Sequence, residues 1–327
     1  MKSIKIKFVD FWADYNTVEG NFFCAVLKNN YEIIISDEPD FLFFSCYGKE
    51  HLKYNCTKIF FTAENWKPNY LACDYSISFG QTNLPKNLRV PLWVLYYQSY
   101  KYGLGIDLPD FENKTDEQLL TYWKTKTKFC CFIVSNDKCK VRNDFFKKLN
   151  SIKPVDSAGR YLNNIGRNLN GGTTEKFEFI SNYKFVISFE NEVSESYITE
   201  KVFEPLLVGA IPIYYGCNNL QLDFNTNRVL YYNNYKNEEE LISEILKIDN
   251  DDSLAINYLK QNYFIENNIS LDKYFDQTLI FLSNIIESKK HAKVSNNFFK
   301  RNTYLLQLKI TDIRNKIKHR FQIAKIG

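Results

Sequence analysis

The chain has 327 residues, of which 45% are hydrophobic and 24% charged, and 42 Lys and Arg against 38 Asp and Glu leave a formal charge of +4. This is the composition of a folded globular protein, and the length is too great for one small core, so two domains are expected. No apolar run reaches the ~18–20 residues of a membrane-spanning helix, and the positive charge is confined to the C-terminal tail, which argues against a nucleic-acid binder.

In chain order, 4–11, 31–35, 41–45, 58–61, 75–79 and 89–92 read as strands, with short helices over 18–28 and 51–55. Gly103-Leu104-Gly105, Pro109 and the charged run 110–117 then break the alternation. They place a domain junction there, giving a first domain of 1–127, a second of 128–290 and a tail of 291–327. A strand over 129–134 opens the second domain, and 141–149 predicts a helix with Phe145, Phe146 and Leu149 on one face. Asn170-Gly171-Gly172 marks a turn, and Thr173 or Thr174 caps a helix running to about Tyr183. Next come a buried strand from Tyr183 to Asn191, a polar loop, the first turn of a helix near Lys201, and a strand from Ile211 to Tyr215 ending in Gly216. Strand, helix and strand in that span form a βαβ unit with parallel pairing. Pro205 removes a helical hydrogen bond, so it kinks this helix or marks a different start. Helices over 238–248, 253–262 and 271–287 complete the body.

Eight cysteines, at 24, 46, 56, 73, 130, 131, 139 and 217, include no CxxC pair and no zinc-site spacing. The alternating segment Met1–Lys7 lacks the apolar core of a signal peptide. Both features lead to the expectation of free thiols in a reducing cytoplasm.

Ligands of open parallel sheets bind beyond the carboxyl ends of the strands, where the loop from Glu190 to Ile198 is expected. Glu190, Glu192, Glu195, Glu200 and Glu204 stand there against one base, Lys201. Carboxylates accept hydrogen bonds only, so they suit a ligand rich in hydroxyls, while Lys201 in the first helical turn favours an anion. A nucleotide-sugar pocket and an ordinary acidic helix start both fit this spacing.

Phe189-Glu190-Asn191, then Tyr197-Ile198-Thr199-Glu200-Lys201 and Ala210-Ile211-Pro212-Ile213, resemble the signature of the α1,3/4-fucosyltransferases, an inverting family. Phe61-Thr62-Ala63-Glu64-Asn65 with Pro68-Asn69 resembles the family's N-terminal carboxylate motif. Val134-Ser135-Asn136 with Val141-Arg142-Asn143 resembles its arginine segment. The resemblance covers roughly 4–290 and is strongest in 128–216. It implies two Rossmann-like α/β domains facing across a cleft (the GT-B type), with the acceptor in 1–127 and GDP-fucose in 128–290. The implied reaction moves L-fucose from GDP-β-L-fucose to the 3-OH (or 4-OH) of N-acetylglucosamine in a Gal-GlcNAc glycan. The default product is of Lewis X type, on a lipopolysaccharide or related glycan.

His51, His291 and His319 lie outside these motifs, so a carboxylate base is expected, and Glu64 is the candidate. Without the resemblance, Glu64 reads as a solvated loop residue. Arg142 and Lys201 are the candidates to meet the charge of the departing diphosphate. Glu200 is assigned to the ribose hydroxyls. By analogy with the family, Asn191, Tyr197 and Thr199 are placed on the donor, with Tyr197 equally able to be a packing residue. Glu190 orients either the loop or the fucose. Phe11, Trp12 and Asp14 close the first strand and are acceptor candidates, although a core Trp fits as well. Asp249-Asn250-Asp251-Asp252 contains a D-x-D spelling but reads as a solvated interhelical turn with an N-cap. No metal ligand and no cofactor is therefore expected, nor an essential divalent ion.

From Phe298 to Gly327 eight bases face Asp312 alone, a net of +7, and Leu306, Ile310, Ile313, Ile317, Phe321 and Ala324 recur at helical spacing. A basic amphipathic C-terminal helix suits an anionic membrane surface through residues 300–325, which predicts a cytoplasmic protein peripheral on the inner face of the membrane. A helix packed on the body is the other reading. Two further functions compete: a glycosyltransferase using another nucleotide sugar, and a non-catalytic membrane-surface protein that keeps the fold.

Overall fold

The computed structural model describes residues 1–13, 15, 21–82, 84–169, 172–265, 269–288, 294 and 297–323. It divides into two compact units, Met1–Ser78 with Thr82–Val90 and Phe275–Gly327, and Phe79–Gln81 with Pro91–Tyr274. In chain order the first unit holds β1 (Lys2–Val9), α1 (Phe22–Leu27), β2 (Tyr31–Ile35), β3 (Phe41–Phe44), β4 (Thr57–Phe61), β5 (Tyr75–Ser78) and β6 (Asn87–Arg89). The second holds α2 (Leu92–Ser99), α3 (Asp116–Lys124), β7 (Lys128–Phe132), α4 (Lys140–Ile152), β8 (Asp156–Ser157), α5 (Gly172–Ile180) and β9 (Tyr183–Ser194). It continues with α6 (Glu200–Leu207), β10 (Ile211–Cys217), β11 (Leu230–Tyr231), α7 (Glu238–Asn250) and α8 (Asp252–Leu259). Helix α9 (Leu271–Glu287) leads from the second unit back to the first, where α10 (Phe298–Ile323) lies.

The first sheet has six parallel strands in the order β2-β1-β3-β4-β5-β6. A parallel sheet is covered on both faces, so its inner strands read as continuous apolar runs. FLFF of β3 and TKIFF of β4 are buried along their whole length, Lys58 included. Phe43 stacks against both Phe8 and Phe23, with ring centroids 5.1 and 5.0 Å away. The second sheet has five strands in the order β11-β10-β9-β7-β8, again parallel. Ile211 to Tyr215 of β10 run in register with Phe185 to Phe189 of β9, which is the βαβ unit expected from the sequence.

The division differs from the expected break at 127/128, since 91–127 belongs to the second unit. Trp93 explains this. It is fully buried, donates to Asp223 Oδ2 at 3.2 Å, and packs 5.3 Å from Phe203, Phe224 and Phe264. The strand expected over 89–92 is β6 at Asn87–Arg89, after which Pro91 starts α2. The charged run read as a breaker opens α3 through a capping box, in which Gln118 N–H donates to Thr115 Oγ1 and Thr115 N–H to Gln118 Oε1. Helix α5 has already begun at Gly172, so neither Thr173 nor Thr174 is its cap. The helix expected over 51–55 is a 3₁₀ turn, Glu50–Lys53. The one expected over 18–28 is α1 at Phe22–Leu27, with 18–20 outside the described residues. Pro205 lies inside α6.

All eight cysteines are free thiols. Among the described residues no helix is long and apolar enough to cross a membrane.

Candidate active site

In the second sheet the strand order turns at the β7–β9 boundary, because β8 flanks β7 on one side and β9 on the other. Open α/β sheets bind ligands at such a switch point, beyond the carboxyl ends of the strands. A cleft of about 300 Å³ lies among the segments that follow β7 and β9. Asn136, Arg142, Lys176, Asn191, Glu200 and Lys201 line it.

Arg142, in the first turn of α4, is only 1% exposed. One terminal nitrogen donates to Asn191 Oδ1 at 2.6 Å, and the other to the Asn136 carbonyl at 2.9 Å and Oδ1 at 3.3 Å. Its guanidinium thus joins the end of β7 to the end of β9. Burial works against its charge, and Glu190 nearby helps to restore it. Its Nε is buried and has no partner among the described residues.

Thr199 is the N-cap of α6 and is 1% exposed. Its hydroxyl accepts from Lys201 N–H at 3.3 Å, while its own N–H and O–H donate to Glu190 Oε1 at 3.0 and 2.9 Å. Glu190 also accepts from Tyr214 Oη at 3.4 Å and pairs with Lys201 Nζ at 3.3 Å. Burial pushes the Glu190 carboxyl up, against the pull of Lys201. Lys201 also lies 3.2 Å from Glu200 Oε1. Burial works against Glu200 ionising, but Lys201 and Lys176 outweigh it and hold the carboxyl at about 2. The same two glutamates lift Lys201 well above the ordinary lysine range against its own burial. Both groups are therefore charged at neutral pH.

The structure therefore brings Arg142, Asn191, Glu200 and Lys201 together at the cleft. It sets Glu190 and Thr199 beneath them as buried support. Tyr197 is 7% exposed and meets Phe79 edge-on at 5.0 Å, as a packing residue does. Of the five glutamates expected to suit a hydroxyl-rich ligand, Glu190 is engaged internally, and Glu204 accepts from Tyr100 Oη at 2.8 Å and pairs with Lys176. Lys176 is the cation that sequence reasoning missed. It comes from α5, outside the acidic segment, and only the topology carries it to Glu200 and Glu204.

In the first unit the loops after β1, β3 and β4 bring Trp12, Tyr47 and Glu64 together. Glu64 is exposed and accepts from Tyr47 Oη at 2.6 Å, and Trp12 lies 6.2 Å from the Tyr47 ring. Trp66, two residues beyond Glu64, is 59% exposed and was not anticipated. Such a ring can stack on a sugar face. Phe11 stacks on Tyr15 at 4.1 Å, and Asp14 lies outside the described residues. Asp10 was also missed. Its buried carboxylate accepts from the N–H groups of Glu50 and His51 and lies 2.7 Å from His51 Nδ1.

Asp249 is not solvated, since its side chain is 6% exposed and pairs with Lys153 and Lys184. Asp251 caps α8 through Ser253 N–H at 3.0 Å. Among the described residues no group of three or more His, Cys, Asp or Glu could hold a metal.

Residues 6–96 match the family described as Alpha-(1,3)-fucosyltransferase FucT N-terminal domain, and residues 123–299 match Glycosyltransferase family 10 (fucosyltransferase) C-term. The chain is 29% identical over 309 residues to alpha-(1,3)-fucosyltransferase FucT of Helicobacter pylori, an alignment covering 85% of this chain and 63% of that protein. It thus spans less than two thirds of that relative's length. Its fold is similar to a crystal structure of an alpha1,3-fucosyltransferase, with a TM-score of 0.73, 25% identity and coverage of 90% of this chain and 92% of that one. A crystal structure of an alpha1,3-fucosyltransferase with GDP-fucose gives a TM-score of 0.70 at 26% identity, covering 89% and 92%.

Proposed function

The chain belongs to glycosyltransferase family 10, the fucosyltransferases, and on that footing we propose that it moves L-fucose from GDP-β-L-fucose, with inversion, to a glycan hydroxyl. The acceptor atom in this proposal is the 3-OH (or 4-OH) of N-acetylglucosamine in a Gal-GlcNAc unit, giving a Lewis X-type product on a lipopolysaccharide or related glycan. The cleft at the β7–β9 switch point is the observation that carries the reading. It combines three cations, Arg142, Lys176 and Lys201, with the ionised Glu200 and the Asn191 amide.

Arg142 and Lys201 take up the negative charge that grows on the departing diphosphate, and losing one such fixed contact typically costs on the order of 3–4 kcal/mol at the transition state. Glu200, acceptor-only, takes the ribose hydroxyls. In the first unit Glu64 receives the proton of the attacking hydroxyl, while Phe11, Trp12 and Asp14 are acceptor candidates. The reaction needs no cofactor and no divalent ion, because cationic side chains supply the charge.

We assign residues 300–325 to an anionic membrane surface, with the protein peripheral on the inner face of the cytoplasmic membrane. Exposed Leu306, Ile310 and Ile313 beside Lys309 and Arg314 support this. The transfer reaction is tested on purified protein with chelator present. GDP-fucose and a panel of β1,4- and β1,3-linked galactose-N-acetylglucosamine disaccharides should release GDP only when an acceptor is added. Linkage analysis then assigns the product. Turnover of a different nucleotide sugar alone would overturn the proposal.

A further inference from the structure

Lys58 is out of place in the first sheet. It sits within β4, every residue of which is buried, and is 4% exposed. The nearby carboxylate, Asp74, is engaged by main chain: Oδ2 accepts from Lys58 N–H at 2.9 Å and Oδ1 from Val294 N–H at 2.7 Å. Among the described residues no carboxylate lies within ion-pair distance of the Lys58 ammonium or of the Arg301 guanidinium. Both side chains line one cavity of about 160 Å³. Lys53, Asn55 and Tyr304 line it too, so its polar groups are mostly donors. Burial pushes the Lys58 ammonium down, and the Arg301 charge adds to that effect, while Cys56 and Asp74 oppose it. A buried ammonium with a second cation beside it is unfavourable unless an opposite charge sits with it. At ~30 Å³ per water the space holds several waters, and so a tetrahedral oxyanion.

We propose that this cavity binds a phosphate-sized oxyanion, held by Lys58 of β4 and Arg301 of α10. The bound group neutralises both cations and fastens α10 to the first unit. The α10 helix already rests there through Tyr304 Oη and His51 Nε2 at 3.3 Å, and through Asp312 and Lys49 at 2.7 Å. The group is either free phosphate or the phosphate of a lipid headgroup. The second source fits Phe298 and Phe299, 72% and 81% exposed, one turn before Arg301. The site stands apart from the fucosyl-transfer reading.

The test is thermal unfolding of the full chain against inorganic phosphate at fixed ionic strength, with saturating GDP present to occupy the cleft of the second unit. Wild type should gain roughly 3–6 °C at a hundredfold excess over the dissociation constant. Lys58→Met and Arg301→Gln should lose that gain, and Lys309→Gln, at an exposed position of the same helix, should keep it. In parallel, sedimentation with phosphatidylglycerol and phosphatidylcholine vesicles identifies the source. A loss in Arg301→Gln well beyond that in Lys309→Gln points to the lipid headgroup. Arg301 is exposed, so its replacement leaves the fold intact. If Arg301→Gln keeps the wild-type phosphate shift and its vesicle binding matches that of Lys309→Gln, the site does not exist.

Discussion

At Glu190 the backbone of β10 leaves no room. A Cβ on Gly216 would stand 2.4 Å from Glu190 Cβ and 2.6 Å from its Cγ, and Gly216 has φ of +140°, a conformation that L side chains rarely adopt. Glu190 cannot retreat, because Thr199, Tyr214 and Lys201 hold its oxygens. Gly216→Ala is therefore expected to cost about 1–3 kcal/mol of stability and to weaken GDP binding by moving Glu190 and with it Lys201. Urea unfolding and titration calorimetry with GDP measure both effects. A variant as stable as wild type with unchanged GDP affinity refutes the close approach. Sequence reading could anticipate Glu200 and Lys201, whose chemistry is local to one helical turn. It could not tell that Glu190 and Thr199 support the site from below, since burial depends on what packs above them.

Helix ends carry the lesson at the scale of elements. Lys126, just past α3, is 2% exposed, and its Nζ donates to the carbonyls of Ser181 at 3.0 Å and Val208 at 2.6 Å. These carbonyls close α5 and α6, where a donor is favoured. Burial, with the charge of Arg228, brings the Lys126 ammonium down to about 8 from 10.5. A lowered lysine binds fewer protons folded than unfolded between those values, so its penalty is complete below about 8 and is relieved as pH rises towards 10.5. The stability of wild type minus that of Lys126→Met should rise by on the order of 3 kcal/mol between pH 8 and 10.5. Denaturant melts of both proteins across that range decide it, and a flat difference refutes the charge penalty. The α3 start carried a local signal that the reading as a breaker passed over, because Thr115 and Gln118 spell a capping box before Leu119 and Trp123. The α2 helix was not, since Leu92, Trp93, Val94 and Tyr97 are buried around the helix and leave no amphipathic period to read.

At the scale of the molecule, the base candidate and the donor residues stand in different units, Glu64 in the first and Arg142, Glu200 and Lys201 in the second. Their effects should therefore separate. Glu64→Gln is expected to bind GDP as wild type does while losing about 10²–10⁴ of the transfer rate. Calorimetry and radiolabelled transfer assays measure the two quantities, and retained transfer removes Glu64 as the base. The division at 90/91 is a whole-molecule fact of the same kind. Trp93 joins the second unit because Phe203, Phe224, Phe264 and Tyr274 surround it, and those residues lie more than a hundred positions away in the chain.

The sequence by itself determined the parallel α/β class, the βαβ unit around Lys201 and the residue types of the cleft. Strand periods, turn residues and a motif within one loop are short-range properties that a linear reading captures. Only the tertiary structure decided that Lys176 joins that cleft, that Glu190 and Glu204 are engaged internally, and that Lys58 and Arg301 line one cavity. Each of those outcomes depends on burial and on charges brought together from distant segments, and neither has a local signature in the chain.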